Sequence, residues 1–199
     1  MISTIQFDIV AKFTTAEACY LLNLDDKKLS QTEIEKEWND FAQSSLAAYK
    51  EWSNSFTEWP LHRYDIINHL IKKFNYQNYL EIGVRDGDCF SKINISHKEA
   101  VDPMPVREGQ QLTNYTISSD EFFNFIKSHD IKYDIIFVDG QHHDDQVYKD
   151  ICNALNHLTP NGTIVCHDMN PLYFVTAMKR GFEGVGQWNG DCWRAWTKL

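Results

Sequence analysis

Three residues carry the strongest chemical signal. Asp139 and His142 stand three positions apart in Val138-Asp139-Gly140-Gln141-His142-His143, and Asp168 closes the run Thr163-Ile164-Val165-Cys166-His167-Asp168. Each acid ends an apolar run of the kind that forms a strand buried on both faces. Adjacent parallel strands lie about 4.8 Å apart, so the two carboxylates are expected as near neighbours. Two such groups repel unless a proton or a cation sits between them. Hard oxygen ligands suit Mg²⁺, or Mn²⁺ where an imidazole joins. His142 would stand beside the ion, able to take a proton near neutrality. The plainer alternative is that Asp139 caps the helix that follows. His167 reads as a packed core histidine and His143 as a solvent-exposed one.

A second group precedes these. Glu81-Ile82-Gly83-Val84-Arg85-Asp86-Gly87 follows a short strand, and Asp102 comes 21 residues after Glu81, at the end of the next strand. Two glycines let the backbone turn tightly under a ligand. An acid placed like Asp102 is where a nucleoside-binding sheet holds ribose hydroxyls. The loop has neither the third glycine of a dinucleotide fingerprint nor a P-loop lysine, so it suits a ligand without phosphates. Two glycines after a strand are also an ordinary turn.

The elements that must position these residues follow from periodicity. Ile34, Trp38, Phe41, Ala48, Tyr49 and Trp52 fall on one helical face, and Ser30–Glu33 and Thr32–Glu35 both read as capping boxes at its start. Trp59-Pro60 then punctuates the chain, and Leu61, Tyr64, Ile67, Leu70, Ile71 and Phe74 form a second amphipathic face. From residue 78 strands and helices alternate: Tyr79–Gly83, a strand ending at Asp102, Tyr115–Ile117, Asp134–Gly140 and Thr163–Cys166. Pro160-Asn161-Gly162 is read as the turn into the last of these. This alternation predicts an α/β, Rossmann-like, doubly wound and mostly parallel sheet, whose site lies outside the carboxyl ends of its strands. An N-terminal helical extension over 1–60 precedes a sheet domain over 61–199.

Composition bounds the partners. The chain has 199 residues, and 19 basic against 28 acidic side chains give a net charge of −9. Phosphate backbones repel that charge, so no nucleic-acid partner is expected. No apolar run reaches the roughly 18 residues of a membrane span, and the N-terminal residues lack a signal-peptide pattern, so no membrane partner is expected either. Five cysteines without a C-x-x-C pair fit reduced thiols in the cytoplasm. A homo-oligomer is compatible with the sequence.

Leu80-Glu81-Ile82-Gly83, Val101-Asp102-Pro103, Val138-Asp139-Gly140-Gln141-His142, Leu158-Thr159-Pro160-Asn161-Gly162 and His167-Asp168 together resemble the class I S-adenosylmethionine-dependent methyltransferases. More narrowly they look like the small-molecule, sugar O-methyltransferase-like subgroup with Asp-Gly-x-His and His-Asp motifs. The resemblance covers roughly residues 62–199. It implies a sheet of strand order 3-2-1-4-5, with Asp139 and Asp168 holding Mg²⁺ and His142 as general base. It also implies S-adenosylmethionine bound by Glu81, Gly83, Gly87, Asp102 and Asp139, with Ser119 or Asp120 at the adenine. Ser118 with Glu121 is equally a capping box.

The chain departs from that pattern in two places. Only about 30 residues follow Asp168, so terminal strands 6 and 7 are expected to be missing or truncated, with Ile5–Val10 a candidate cover for the open edge. Trp188–Trp196 is read as a capped helix, with Trp188, Trp193 and Trp196 either roofing the acceptor pocket or packing plainly. Asp144 stands where relatives often carry an aromatic. The expected activity is methylation of an oxygen on a small-molecule acceptor, with Asp139 and His142 in the catalytic centre. The alternatives are a non-catalytic cofactor-binding module of the same fold and a nucleotide-dependent oxidoreductase.

Overall fold

The structure, a computed structural model, describes residues 30–57, 61–105, 113–179, 181 and 185–199. In chain order its elements are α1 (Gln31–Ser55), α2 (Arg63–Phe74), β1 (Asn78–Ile82), α3 (Asp88–Lys92), β2 (His97–Val101), α4 (Ser119–Ile126), β3 (Tyr133–Val138), α5 (Asp144–Asn156), β4 (Leu158–Cys166), a 3-10 turn (Phe174–Thr176) and α6 (Trp193–Thr197). They fall into two compact units. The sheet unit takes the described residues of 61–141 and 145–167, and the helical unit takes those of 30–57, 142–144 and 168–199.

In the sheet unit the four strands are parallel and ordered β2-β1-β3-β4. β1 and β3 are buried along almost their whole length, as continuous apolar runs in a covered parallel sheet should be. Ile67 and Ile71 of α2 pack on Tyr79, Ile135 and Phe137, with Cys89 and Ile93 closing the cluster. Leu61 and Phe74, expected on the same face of that helix, are exposed.

The expected strand at Tyr115 is a single parallel bridge to Val101 on the outer edge of β2. The Asn114 side chain explains why it goes no further. Its Oδ1 accepts from Ala100 N at 2.9 Å and so uses an edge donor that a longer strand would need. The order nevertheless follows the expected 3-2-1-4-5. Pro160-Asn161-Gly162 is not a turn before the last strand but an irregularity inside β4, whose pairing shifts between Tyr133↔Leu158 and Ile135↔Thr163.

In the helical unit, Ser30 and Glu33 form the capping box that starts α1, with Glu33 N to Ser30 Oγ at 3.4 Å and Ser30 N to Glu33 Oε2 at 2.7 Å. Ala42, Leu46 and Tyr49 pack on Phe174 and Val175. Tyr49 Oη accepts from Gly186 N and Gln187 N, both at 3.0 Å.

After Cys166 the described residues contain no strand. The expected helix over Trp188–Trp196 begins only at Trp193. Asn189 N donates to Thr176 O at 2.9 Å, and Gly190 adopts a left-handed φ of 67°, which holds the preceding residues out of the helix. The Ile5–Val10 stretch lies outside the described residues. Among the described residues no helix is long and apolar enough to cross a membrane.

Candidate functional site

Strand register builds the rim of the sheet unit. Ile82 pairs with Val101 on one side and Val138 on the other, and Val138 pairs with Cys166. The next residue on each strand, Asp102, Gly83, Asp139 and His167, therefore stands in one row across β2-β1-β3-β4. The ladder continues one step into that row. Gly83 N donates to Val101 O (2.9 Å), Asp139 N to Ile82 O (2.8 Å) and His167 N to Val138 O (3.0 Å).

The glycine loop rests on this row. Gly83 has a φ of +87°, and a Cβ there would lie 2.2 Å from the Asp139 carbonyl oxygen. Gly87, also left-handed at φ 76°, starts α3. Asp102 latches the loop, its Oδ2 accepting from Val84 N at 2.9 Å and Arg85 N at 2.8 Å. Its Oδ1 accepts from Met104 N at 2.8 Å. A carboxylate offers about four lone-pair sites, which leaves acceptor capacity for ligand hydroxyls.

Glu81 lies one residue inside the rim and is 1% exposed. Burial pushes its carboxyl up to about 7; the hydrogen bond from Tyr79 Oη, at 2.5 Å, opposes this, and the charge of Asp139 adds to it. Burial, followed by the neighbouring Glu81, pushes the Cys89 thiol up to about 12.

Two nitrogens lie within ion-pair distance of Asp139 in this unit. Arg63 Nη1 lies 3.4 Å from Oδ2, and His167 Nδ1 lies 3.1 Å from Oδ1. His167 was expected in the core. β4 ends at Cys166, so residue 167 emerges at the rim, where a third of its side chain is exposed.

Ser119 and Asp120 occupy the first turn of α4, while Ser118 and Glu121 form its capping box. The two readings of this segment therefore use different residues and do not compete. Gln146 Nε2 lies 3.3 Å from Ser119 Oγ, 3.2 Å from Asp120 Oδ1 and 3.1 Å from Asp150 Oδ1. Asp150 is 1% exposed, and burial raises its carboxyl to about 6.

The helical unit holds the remaining residues. His142 Nδ1 lies 3.3 Å from Asp168 Oδ2, and Asn189 Nδ2 donates to Asp168 Oδ1 at 2.6 Å. Asp168 has a left-handed φ of 57°, uncommon for a non-glycine residue. The Trp188 ring lies 5.5 Å from the His142 ring. A Cβ on Gly190 would lie 2.1 Å from the His142 carbonyl oxygen. His143, expected in solvent, is partly buried, with Nδ1 3.8 Å from Asp191 Oδ1. Trp193 is buried, as plain packing requires, and Trp196 is exposed.

Sequence reasoning missed Gln146, Asp150 and Asn189 as participants, and it offered Arg63 only as a residue that could line the pocket's mouth. Arg63 opens α2, and its one available signal was the Ile67–Ile71 stripe that packs this helix on the sheet. Asn189 precedes a left-handed glycine and belongs to no motif.

Residues 80–169, from β1 to just past β4, match the family described as a methyltransferase domain. No curated protein matches the chain. Among solved structures, an O-methyltransferase from Bacillus cereus in complex with SAH is 14% identical with a TM-score of 0.43; the match covers 62% of this chain and 65% of that one. An SAH-bound methyltransferase of Podospora anserina is 15% identical with a TM-score of 0.45, covering 85% of this chain and 86% of that one.

Proposed function

We propose that the chain is a class I methyltransferase that transfers a methyl group from S-adenosylmethionine to an oxygen of a small acceptor such as a sugar, a reading that the match of residues 80–169 to a methyltransferase domain supports. The observation that carries this reading is the row Asp102, Gly83 and Asp139 at the rim, with Glu81 one step inside. The site fits such a cofactor. Gly83 keeps the floor of the loop free of a side chain, Asp102 would offer acceptors to the ribose hydroxyls, and Glu81 and Asp139 would supply negative charge to the cationic methionyl end. Ser119 or Asp120 would contact the adenine, and Gly87 completes the loop.

S-adenosylmethionine supplies a methyl group on a positively charged sulfur, which loses its charge as the carbon–sulfur bond breaks. An alcohol is a poor nucleophile until its proton is removed. His142 is the base in this reading. Asp168, 3.3 Å from Nδ1, would favour the tautomer that leaves Nε2 to take the hydroxyl proton, and Asn189 holds Asp168 in turn.

The finer part of the reading is a divalent cation, which Asp139 and Asp168 would hold and which would lower the pKa of the acceptor hydroxyl. Cys89, Cys152, Cys166 and Cys192 are free thiols, which supports a cytoplasmic enzyme.

The test is transfer of labelled methyl from S-adenosylmethionine to a panel of sugars and other small alcohols, with Mg²⁺ and with EDTA. Incorporation into an oxygen that is lost in His142→Ala supports the reading. Absence of incorporation across the panel, with no binding of S-adenosylhomocysteine, overturns it. Equal rates in Mg²⁺ and EDTA overturn the metal assistance alone.

A further inference from the structure

We infer that Tyr49, on the N-terminal helix α1, is a positioning residue for His142: its hydroxyl fixes the segment 186–190, and that segment fixes the carboxylate beside the imidazole. The inference rests on the reading above, which makes His142 the base. Tyr49, Asp168, His142 and residues 186–190 all belong to the helical unit.

Packing fixes the Tyr49 ring. It is 3% exposed, lies in one cluster with Leu46 and Phe174, and has the rings of Trp52 and Tyr173 each 5.9 Å away. A phenylalanine would satisfy that packing, so the hydroxyl is the informative atom. Its Oη accepts from Gly186 N and Gln187 N, both at 3.0 Å, 137 and 138 residues further along the chain. Neither residue belongs to a helix or strand, so one side-chain oxygen serves two main-chain donors that no regular element pairs.

Each of the next residues is tied as well. Trp188 Nε1 donates to Met178 O at 2.6 Å, Asn189 N to Thr176 O at 2.9 Å, and Asn189 Nδ2 to Asp168 Oδ1 at 2.6 Å. Asp168 Oδ2 lies 3.3 Å from His142 Nδ1, and a Cβ on Gly190 would collide with the His142 carbonyl oxygen. The segment thus bears on His142 twice, through the Asn189 side chain and through the Gly190 backbone. Gln187 and Asn189 are two residues apart, about 7 Å of chain at most, so a shift at the Tyr49 end passes directly to Asn189. A misplacement of about 1 Å can cost about a hundredfold in rate, so a hydroxyl that takes no part in the chemistry can still set it.

The experiment reads the imidazole itself and needs no acceptor. Long-range proton–nitrogen spectra of the histidine rings, with His142 assigned by its loss in His142→Ala, report the share of His142 protonated at Nδ1. Wild type is expected to hold that tautomer, and Tyr49→Phe and Asn189→Ala should both lose it to a similar extent. Leu46→Val trims the same cluster but keeps the hydroxyl, so it should lower the melting temperature and leave the tautomer unchanged. On an acceptor found by the methylation panel, Tyr49→Phe should lower kcat about three- to tenfold at unchanged KM. Tyr49→Phe combined with Asn189→Ala should lose no more than Asn189→Ala alone. A tautomer in Tyr49→Phe identical to that of wild type overturns the inference, as does an equal change in Leu46→Val or additive losses in the double variant. Wild type protonated chiefly at Nε2 also overturns it. Absence of methyl transfer to every acceptor overturns the functional reading, while the tautomer in Tyr49→Phe still decides whether Tyr49 positions His142.

Discussion

The Cβ that Gly83 lacks would lie 2.2 Å from the carbonyl oxygen of Asp139, so the loop after β1 and the end of β3 touch backbone to backbone. A side chain at Gly83 must also adopt φ +87°. Gly83→Ala is therefore expected to lose at least about 2 kcal/mol of stability, from left-handed strain plus a clash that only main-chain movement relieves. Urea denaturation reads the loss, and an unchanged midpoint would contradict the close approach.

Glu81 makes stability depend on pH. Its carboxyl titrates near 7 in the folded chain and near 4.5 when released. A raised value means that the stabilising contribution is complete below 4.5 and is lost as pH rises through 7. The loss is on the order of 3 kcal/mol. Glu81→Gln keeps the side chain neutral and should flatten the decline between pH 5 and 8, leaving a smaller slope from Asp150, which titrates near 6. Parallel stability profiles for the two proteins would remove Glu81 as the source.

His142, Asp168 and Asn189 should form a graded series. Loss of a general base costs about 10²- to 10⁴-fold in rate, so His142→Ala should lower kcat by that much while its affinity for S-adenosylhomocysteine stays within about twofold of wild type. Asn189→Ala, acting through Asp168, should lower kcat by about tenfold with little change in KM. Steady-state kinetics on the acceptor identified by the methylation panel check both. A rise in KM with kcat unchanged would assign Asn189 to acceptor binding instead.

Asp191 is a structural acid in the helical unit. It is 1% exposed, and its Oδ1 accepts from Asp144 N at 2.9 Å. Asp144 is held in turn by Lys198 at 2.5 Å. Asp191→Ala leaves a buried amide without that acceptor, at a cost of about 1–3 kcal/mol, so a lowered melting temperature is expected. Lys198→Ala should cost under about 1 kcal/mol, because 42% of that side chain is exposed.

The sheet was legible chiefly because β3 is a continuous apolar run closed by an acid, within an alternation of strands and helices. Asp102 and Asp139 mark the carboxyl ends of β2 and β3, and a parallel sheet brings such ends to one rim. His167 was misjudged because apolar neighbours suggested burial, whereas its position one step past the last paired residue decides its exposure. The irregularity at Pro160–Gly162 depends on which strand receives it, and periodicity along one segment does not encode pairing. Arg63 and Asn189 reach the candidate residues through tertiary packing, from a helix face and a loop that carry no spacing signal.

The most direct measurement is calorimetric titration of the purified chain with S-adenosylhomocysteine and, separately, with NAD. Saturable binding of S-adenosylhomocysteine at one site per chain, with no binding of NAD, is the predicted result. Saturation by NAD with no response to S-adenosylhomocysteine would contradict it.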